Sequence, residues 1–246
     1  DLGAAASRAL DFIRTTLWRD GRLLATYMDG RAHLNAYLDD YVFLADAVLE
    51  LQQLRFRSHE LHFAQQLLEV VLKHFTDEQA GGFYFTSDDH EALMHRSKVF
   101  SDDATPAGNG IAARVLLRFG HLLAEPRYLA AAERTLRAAW PALAKYPQAH
   151  VSLVTALEEL LHPPEIVILR GEARTIEGWR LELARLYAPH RVVLAIPAGT
   201  ADLPPALADK TSRAATVAYL CRGSTCSAPL DSLDALSEQL RAGELA

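Results

Sequence analysis

Four aspartates fall into two adjacent pairs, Asp39-Asp40 and Asp102-Asp103, each beside a junction between a loop and a helix-period segment. Paired carboxylates are what sugar chemistry uses. A glycosidase sets two of them across the scissile bond. An epimerase needs an acid and a base on opposite faces of a carbon that bears an acidic proton. Asp39, Asp40, Asp102 and Asp103 can fill such roles, with Tyr41, Tyr84, Thr105 and Asn109 as hydrogen-bonding or stacking groups for a polar ring. The same acids have a plain structural use, because a carboxylate next to a helix start satisfies free N–H groups and favours the helix dipole. Thr105-Pro106 reads as an N-cap followed by proline at the first helical position, which puts Asp102 and Asp103 just ahead of a helix.

Other chemistries find less support. Cys221 and Cys226 stand in Cys-Arg-Gly-Ser-Thr-Cys, which is neither Cys-x-x-Cys nor half a zinc knuckle. Reduced thiols are expected, one at a strand end and one in the loop after it. The sharper reading is a redox pair, for which Gly223 permits the tight turn. His90 and His95 lie five apart, no His-Glu-x-x-His occurs, and no metal site is expected. Ser87, Ser101 and Ser224 lack a Gly-x-Ser-x-Gly setting, so no serine nucleophile is expected. Gly108-Asn-Gly110 is too short for a phosphate loop and suits close helix packing or approach of a ligand to backbone. No cofactor is expected.

The elements that must hold these residues are mostly helical. Apolar side chains recur at helical spacing over residues 4–19, 34–54, 58–75, 106–123, 125–143 and 147–161. Short links such as Ala124-Glu125-Pro126 predict antiparallel helical hairpins. Residues 23–33 read as a connection with turn signals, Asp29-Gly30 among them. Residues 81–86 are aromatic and glycine-bounded, which predicts a strand or hairpin arm. After His162-Pro163-Pro164 the pattern changes to β-branched runs at 166–171, 191–197 and 215–220, with helices at 173–186 and 232–240. That is an α/β pattern. Two regions follow, 1–162 and 163–246.

Half of the 246 residues are hydrophobic and 23% are charged, as in a globular protein. A net charge of -6 without a basic stripe argues against nucleic acid as a partner. No apolar run is long enough to span a bilayer and no signal peptide is visible. A cytoplasmic location is the expectation. The start at Asp1, directly in an amphipathic helix, suggests a processed or shortened chain.

Several stretches together resemble one family. They are Leu38-Asp-Asp-Tyr41, Gly81-Gly-Phe-Tyr-Phe-Thr86 with Asp88-Asp-His-Glu91, Asp102-Asp-Ala-Thr-Pro-Ala-Gly-Asn109, Glu165-Ile-Val-Ile168 and Tyr219-Leu-Cys-Arg-Gly-Ser-Thr-Cys-Ser-Ala-Pro229. Their order and extent are similar to the YyaL-type proteins, which include the spermatogenesis-associated thioredoxin-like proteins. The resemblance implies a thioredoxin-like domain, then an α/α toroid like that of N-acylglucosamine 2-epimerases and six-hairpin glycosidases, then a small C-terminal region. The chain accordingly looks like the C-terminal part of such a protein. It is expected to be mainly α, an incomplete α/α toroid followed by a small α/β unit. The epimerases similar in fold use histidines as acid and base, and no pair here matches them.

The function expected is binding of a carbohydrate-like or small polar ligand, as a relative of sugar hydrolases or epimerases. The alternative is a non-catalytic interaction or redox-scaffold module that serves a thioredoxin-like domain. The expected partners are that ligand, the thioredoxin-like domain and the rest of the toroid, with no membrane. An arc of six helices also leaves the stripe Leu10, Phe12, Ile13 and Leu17 without a preceding hairpin. Uncovered apolar patches find partner surfaces, which predicts a homodimer of the isolated chain.

Overall fold

The computed structural model describes residues 2–91, 94–212 and 216–243. Its helices are α1 (Leu2–Phe12), α2 (Leu38–Leu54), α3 (Ser58–His74), α4 (Gly108–Leu123), α5 (Pro126–Lys145), α6 (Val151–Leu161), α7 (Ala173–Leu183), α8 (Pro205–Ala208) and α9 (Leu233–Gly243). Its strands are β1 (Trp18–Arg19), β2 (Arg22–Met28), β3 (Arg31–Asn35), β4 (Glu165–Gly171), β5 (Arg191–Pro197), β6 (Val217–Arg222) and β7 (Thr225–Cys226). The architecture is therefore mixed, largely helical, with two small sheets.

Helix α4 sits at the centre. Ile111, Ala112, Ala113, Val115, Leu116, Leu117 and Phe119 form a broad apolar face and are all buried. Its polar stripe, Arg114, Arg118 and His121, is buried or half-buried as well, so the helix is enclosed on every side. α2, α5 and α6 pack along it, and α8 closes one side. α3 packs on α2.

Residues 23–33, expected as a connection, form a sheet instead. β1, β2 and β3 run antiparallel, joined by Asp20-Gly21 and Asp29-Gly30. All four turn residues have positive φ, between 50° and 77°, as two-residue hairpins of the right twist require. Much of the N-terminal stripe is covered within the chain. Leu10 is buried, while Ile13 and Leu17 pack against the core. Phe12 stands edge-on to Tyr27 of β2 at 5.2 Å between ring centres. Phe12 still keeps 44% of its surface exposed, so the stripe is covered only in part. Residues 81–86 make an isolated bridge, Thr76 to Phe83, rather than a strand.

Beyond α6 the three expected strands and a further short one, β7, form a four-stranded sheet in the order β5-β4-β6-β7. β4 and β5 are parallel, with α7 between them in sequence, and β6 runs antiparallel to β4. The alternation along β4 divides its two faces. Ile166 and Ile168 join the core shared with the helices. Val167 and Leu169 meet Ile176 and Leu183 of α7 and Leu236 and Leu240 of α9. The third β-branched run begins at Val217 in the structure, and Ala215 lies outside the described residues. No described helix is long and apolar enough to cross a membrane.

The most enclosed ion pair among the described residues lies inside the helical core. Arg118 of α4 forks onto Glu159 of α6, with Nη2 to Oε1 at 2.6 Å, and Glu159 is wholly buried. Arg118 also donates to the carbonyl of Pro189 at 3.2 Å, which ties the helices to the loop ahead of β5. Removing one partner from a buried pair strands the other charge in a low-dielectric interior. Glu159→Leu is expected to cost about 3–5 kcal/mol in urea unfolding. Arg118→Met combined with Glu159→Leu is expected to recover most of that loss. A double variant as unstable as the single one would show that packing, not the stranded charge, sets the cost.

Candidate functional site

The N-terminal turn of α4, Gly108-Asn-Gly110, has no side chain at two of its three positions. Two neighbours use the space. A Cβ on Gly108 would lie 2.0 Å from Asp39 Oδ1, and one on Gly110 would lie 2.0 Å from Ser152 Oγ. Glycine at these positions lets the start of α2 and the start of α6 close on α4. The two acidic pairs consequently meet near one point, but their members do different work.

Asp40 and Asp102 hold the chain. Asp40 Oδ2 accepts the Tyr37 N–H at 2.8 Å and completes the cap of α2. Asp102 Oδ1 accepts the Ala107 N–H and Oδ2 the Ser152 N–H, each at 2.8 Å. The Ser152 hydroxyl also donates to Asp102. Asp102 therefore caps α6 and fixes the entry to α4. The cap of α4 itself is Ala107, with no side-chain bond, and not Thr105 as its sequence suggests. Partial burial works against the Asp102 charge, but the hydrogen bonds from Ser152 and Ala107 outweigh it and hold the carboxyl below the usual range.

Asp39 and Asp103 line a shared cleft of about 120 Å³ with Phe85, Val99, Thr105, Pro106 and Asn109. Asp103 is exposed and Asp39 half-buried, so the cleft opens to solvent on the Asp103 side. Burial, and then the neighbouring charge of Asp40, push the Asp39 carboxyl above its ordinary value. A carboxyl of that kind keeps its proton to higher pH and can donate it.

The expected polar partners divide as well. Thr105 lines the cleft. Asn109 also reaches it, but its polar atoms are engaged. Oδ1 accepts the Phe83 N–H at 2.7 Å, and Nδ2 donates to Phe83 and Val99 carbonyls at 2.9 Å each. Asn109 thus pins two loops over α4 and is not free to bind a ring. Tyr41 is a core residue, wholly buried, with its hydroxyl accepting the Leu23 N–H at 2.8 Å. Tyr84 lies away from the cleft lining, and the Arg96 guanidinium covers its ring at 4.2 Å.

Two features were not anticipated. Cys221 and Cys226, expected as reduced thiols, form a disulfide. Strands β6 and β7 turn back at Gly223, φ 58°, so the two cysteines face each other in register. His74 Nδ1 lies 2.7 Å from Asp88 Oδ1, and Asp89 completes a cluster whose ligand-type atoms lie within 4.8 Å. Arg22 of β2 forks onto Asp89 and draws its carboxyl down to about 2. With Arg22 in place the cluster reads as an ion-pair network that holds the loop to the first sheet.

No family profile matches the chain. Distant relatives are spermatogenesis-associated protein 20 of Homo sapiens, 24% identical over 85% of this chain, and an uncharacterised protein of Caenorhabditis elegans, 24% identical over 85%. Spermatogenesis-associated protein 20 of Rattus norvegicus is 24% identical over 64%. The chain spans under a third of the length of these relatives, 29%, 29% and 20%.

Asp102→Asn is expected to lower stability by about 1.5–3 kcal/mol at neutral pH, the range for hydrogen bonds to a charged group. The folded pKa lies below the unfolded one, so the contribution is present above about pH 4 and is lost as pH falls through the folded value. Unfolding midpoints of the wild type and the variant are therefore expected to converge in acid. A gap that stays constant from neutral pH into acid would contradict the cap.

Proposed function

We propose that the cleft at the start of α4 binds a small polar ligand of carbohydrate type, with Asp39 as its proton-donating group and Asp103 as an exposed hydrogen-bonding partner at the mouth. The observation that carries this reading is the division of labour within the acidic pairs. One acid of each pair caps or ties a helix, and the other is left facing the same cleft. Capping alone accounts for Asp40 and Asp102. It does not account for Asp39, which accepts no hydrogen bond among the described contacts and sits half-buried in the cleft wall; burial raises its carboxyl, as it does that of Asp40.

The cleft limits what can enter. A volume of about 120 Å³ suits part of one ring or a small polyol rather than an extended chain. Drug-sized pockets run to several hundred Å³. Two carboxyl groups on one cleft can together handle a hydroxyl or a ring oxygen, which is the equipment of sugar hydrolases and epimerases. The helical hairpins around α4 agree with an arc of an α/α toroid over residues 1–162, to which the region 163–246 adds a small α/β unit. The distant relatives support kinship with the spermatogenesis-associated proteins. In this reading a parent protein supplies the remainder of the ring, and the location is cytoplasmic.

The test is a thermal-shift screen of the full chain against neutral monosaccharides and polyols at tens of millimolar. Bound ligand raises the apparent midpoint by mass action. At least one sugar is expected to raise it, and Asp39→Asn and Asp103→Asn are each expected to abolish that rise while the ligand-free midpoint holds. A shift retained in both variants would place the ligand elsewhere, and no shift with any sugar or polyol would remove the proposal.

A further inference from the structure

A cleft of about 390 Å³ lies at the other end of α4, between that helix and the sheet. Its walls include His121 of α4, Lys210, and both cysteines of the β6–β7 hairpin. The two sulfurs are unequally placed. Cys221 is 7% exposed, whereas Cys226 lies open at the surface.

The disulfide has little structural work to do. It joins residues five apart that strand pairing already sets opposite each other. A crosslink over so short a loop removes little entropy from the unfolded chain. The hairpin is held independently. Ser227 N–H donates to Leu220 carbonyl at 2.8 Å, and Leu220 N–H donates to Ser227 Oγ at 3.1 Å. Leu230 and Ala218 exchange two further backbone bonds at 2.8 and 2.9 Å. The hairpin thus has backbone and side-chain bonds of its own beside the disulfide, and both cysteines line the cleft.

We infer that Cys221–Cys226 is a reversible thiol–disulfide exchange site, attacked at Cys226 by an incoming thiol. The incoming thiolate forms a bond to Cys226 Sγ. The bond between the two cysteines breaks, and its electron pair leaves on Cys221 Sγ, which takes a proton from solvent. A second thiol then attacks the sulfur of the first, and Cys226 leaves as thiolate. Two thiols are oxidised to one disulfide, and the protein disulfide is reduced by two electrons. His121 and Gly223, the turn residue between the cysteines, line the same cleft. The site is separate from the acidic cleft and does not depend on the function proposed for it. A helix of this length spans about 24 Å at 1.5 Å per residue.

The test uses the full chain under native conditions with two thiol sources, reduced glutathione and a protein dithiol of the thioredoxin type. Alkylation and intact mass follow the thiols, and circular dichroism follows the fold. Two free thiols are expected with the native spectrum retained, and oxidised glutathione is expected to restore the bond. Faster reduction by the protein dithiol at equal thiol concentration assigns the incoming thiol to a protein. Equal or slower reduction assigns it to a small molecule. Cys221→Ser, which leaves Cys226 free, is expected to form a mixed disulfide with oxidised glutathione roughly tenfold faster than Cys226→Ser, because attack follows exposure. Resistance to both reductants, or thiols that appear only as the native spectrum is lost, would overturn the proposal. Equal rates for the two variants would overturn the assignment of Cys226 as the attacked sulfur.

Discussion

The enclosure of α4 is the constraint on which the rest of the structure depends. Its broad apolar face and its polar stripe of Arg114, Arg118 and His121 are both covered, by α2, α5 and α6 along its length. Any polar group it carries must then be met by a neighbour, because an unpaired buried polar atom costs a full desolvation penalty. Asn109 meets this requirement with three backbone groups on two loops. Arg118 meets it with Glu159 and with the carbonyl of Pro189, and so joins helix, helix and the approach to the sheet. The two ends of the helix are where cover gives way, and a cleft lies at each.

At the first end, close approach and charge act together. Two glycines bring Asp39 and Ser152 onto the helix start. Asp102 receives three hydrogen bonds and remains ionised, while Asp39 lacks them and is raised by burial. Two chemically identical side chains at neighbouring helix starts thus diverge because one is given donors and the other is not. Environment, rather than residue type, assigns such roles.

How much of this was legible depended on range in sequence. Helix period placed α2 to α6 within a few residues, and β-branched runs placed β4 and β5. The acidic pairs were visible as a site, but which acid would cap was not. Asp102 bonds Ser152, fifty residues away, and only the folded chain brings them together. Asp20-Gly21 and Asp29-Gly30 carried a hairpin signal, and the short two-residue β1 hid it behind an apparent helix end. Tyr41 and Tyr84 looked like ring partners because tyrosine beside acid suits sugars. Core packing claimed Tyr41 and Arg96 claimed the face of Tyr84. The cysteine pair was misjudged because spacing does not show register, and Gly223 turned β7 directly onto β6.

The central claim is that the acidic pairs are split, with Asp102 holding helices and Asp39 available to carry a proton. Carboxyl-carbon NMR titration of the full chain, with resonances assigned through Asp39→Asn and Asp102→Asn, measures this directly. The account predicts that Asp39 titrates above the ordinary aspartate value of about 3.9 and Asp102 below it. Asp39 titrating at or below that value, with Asp102 above it, would contradict the account.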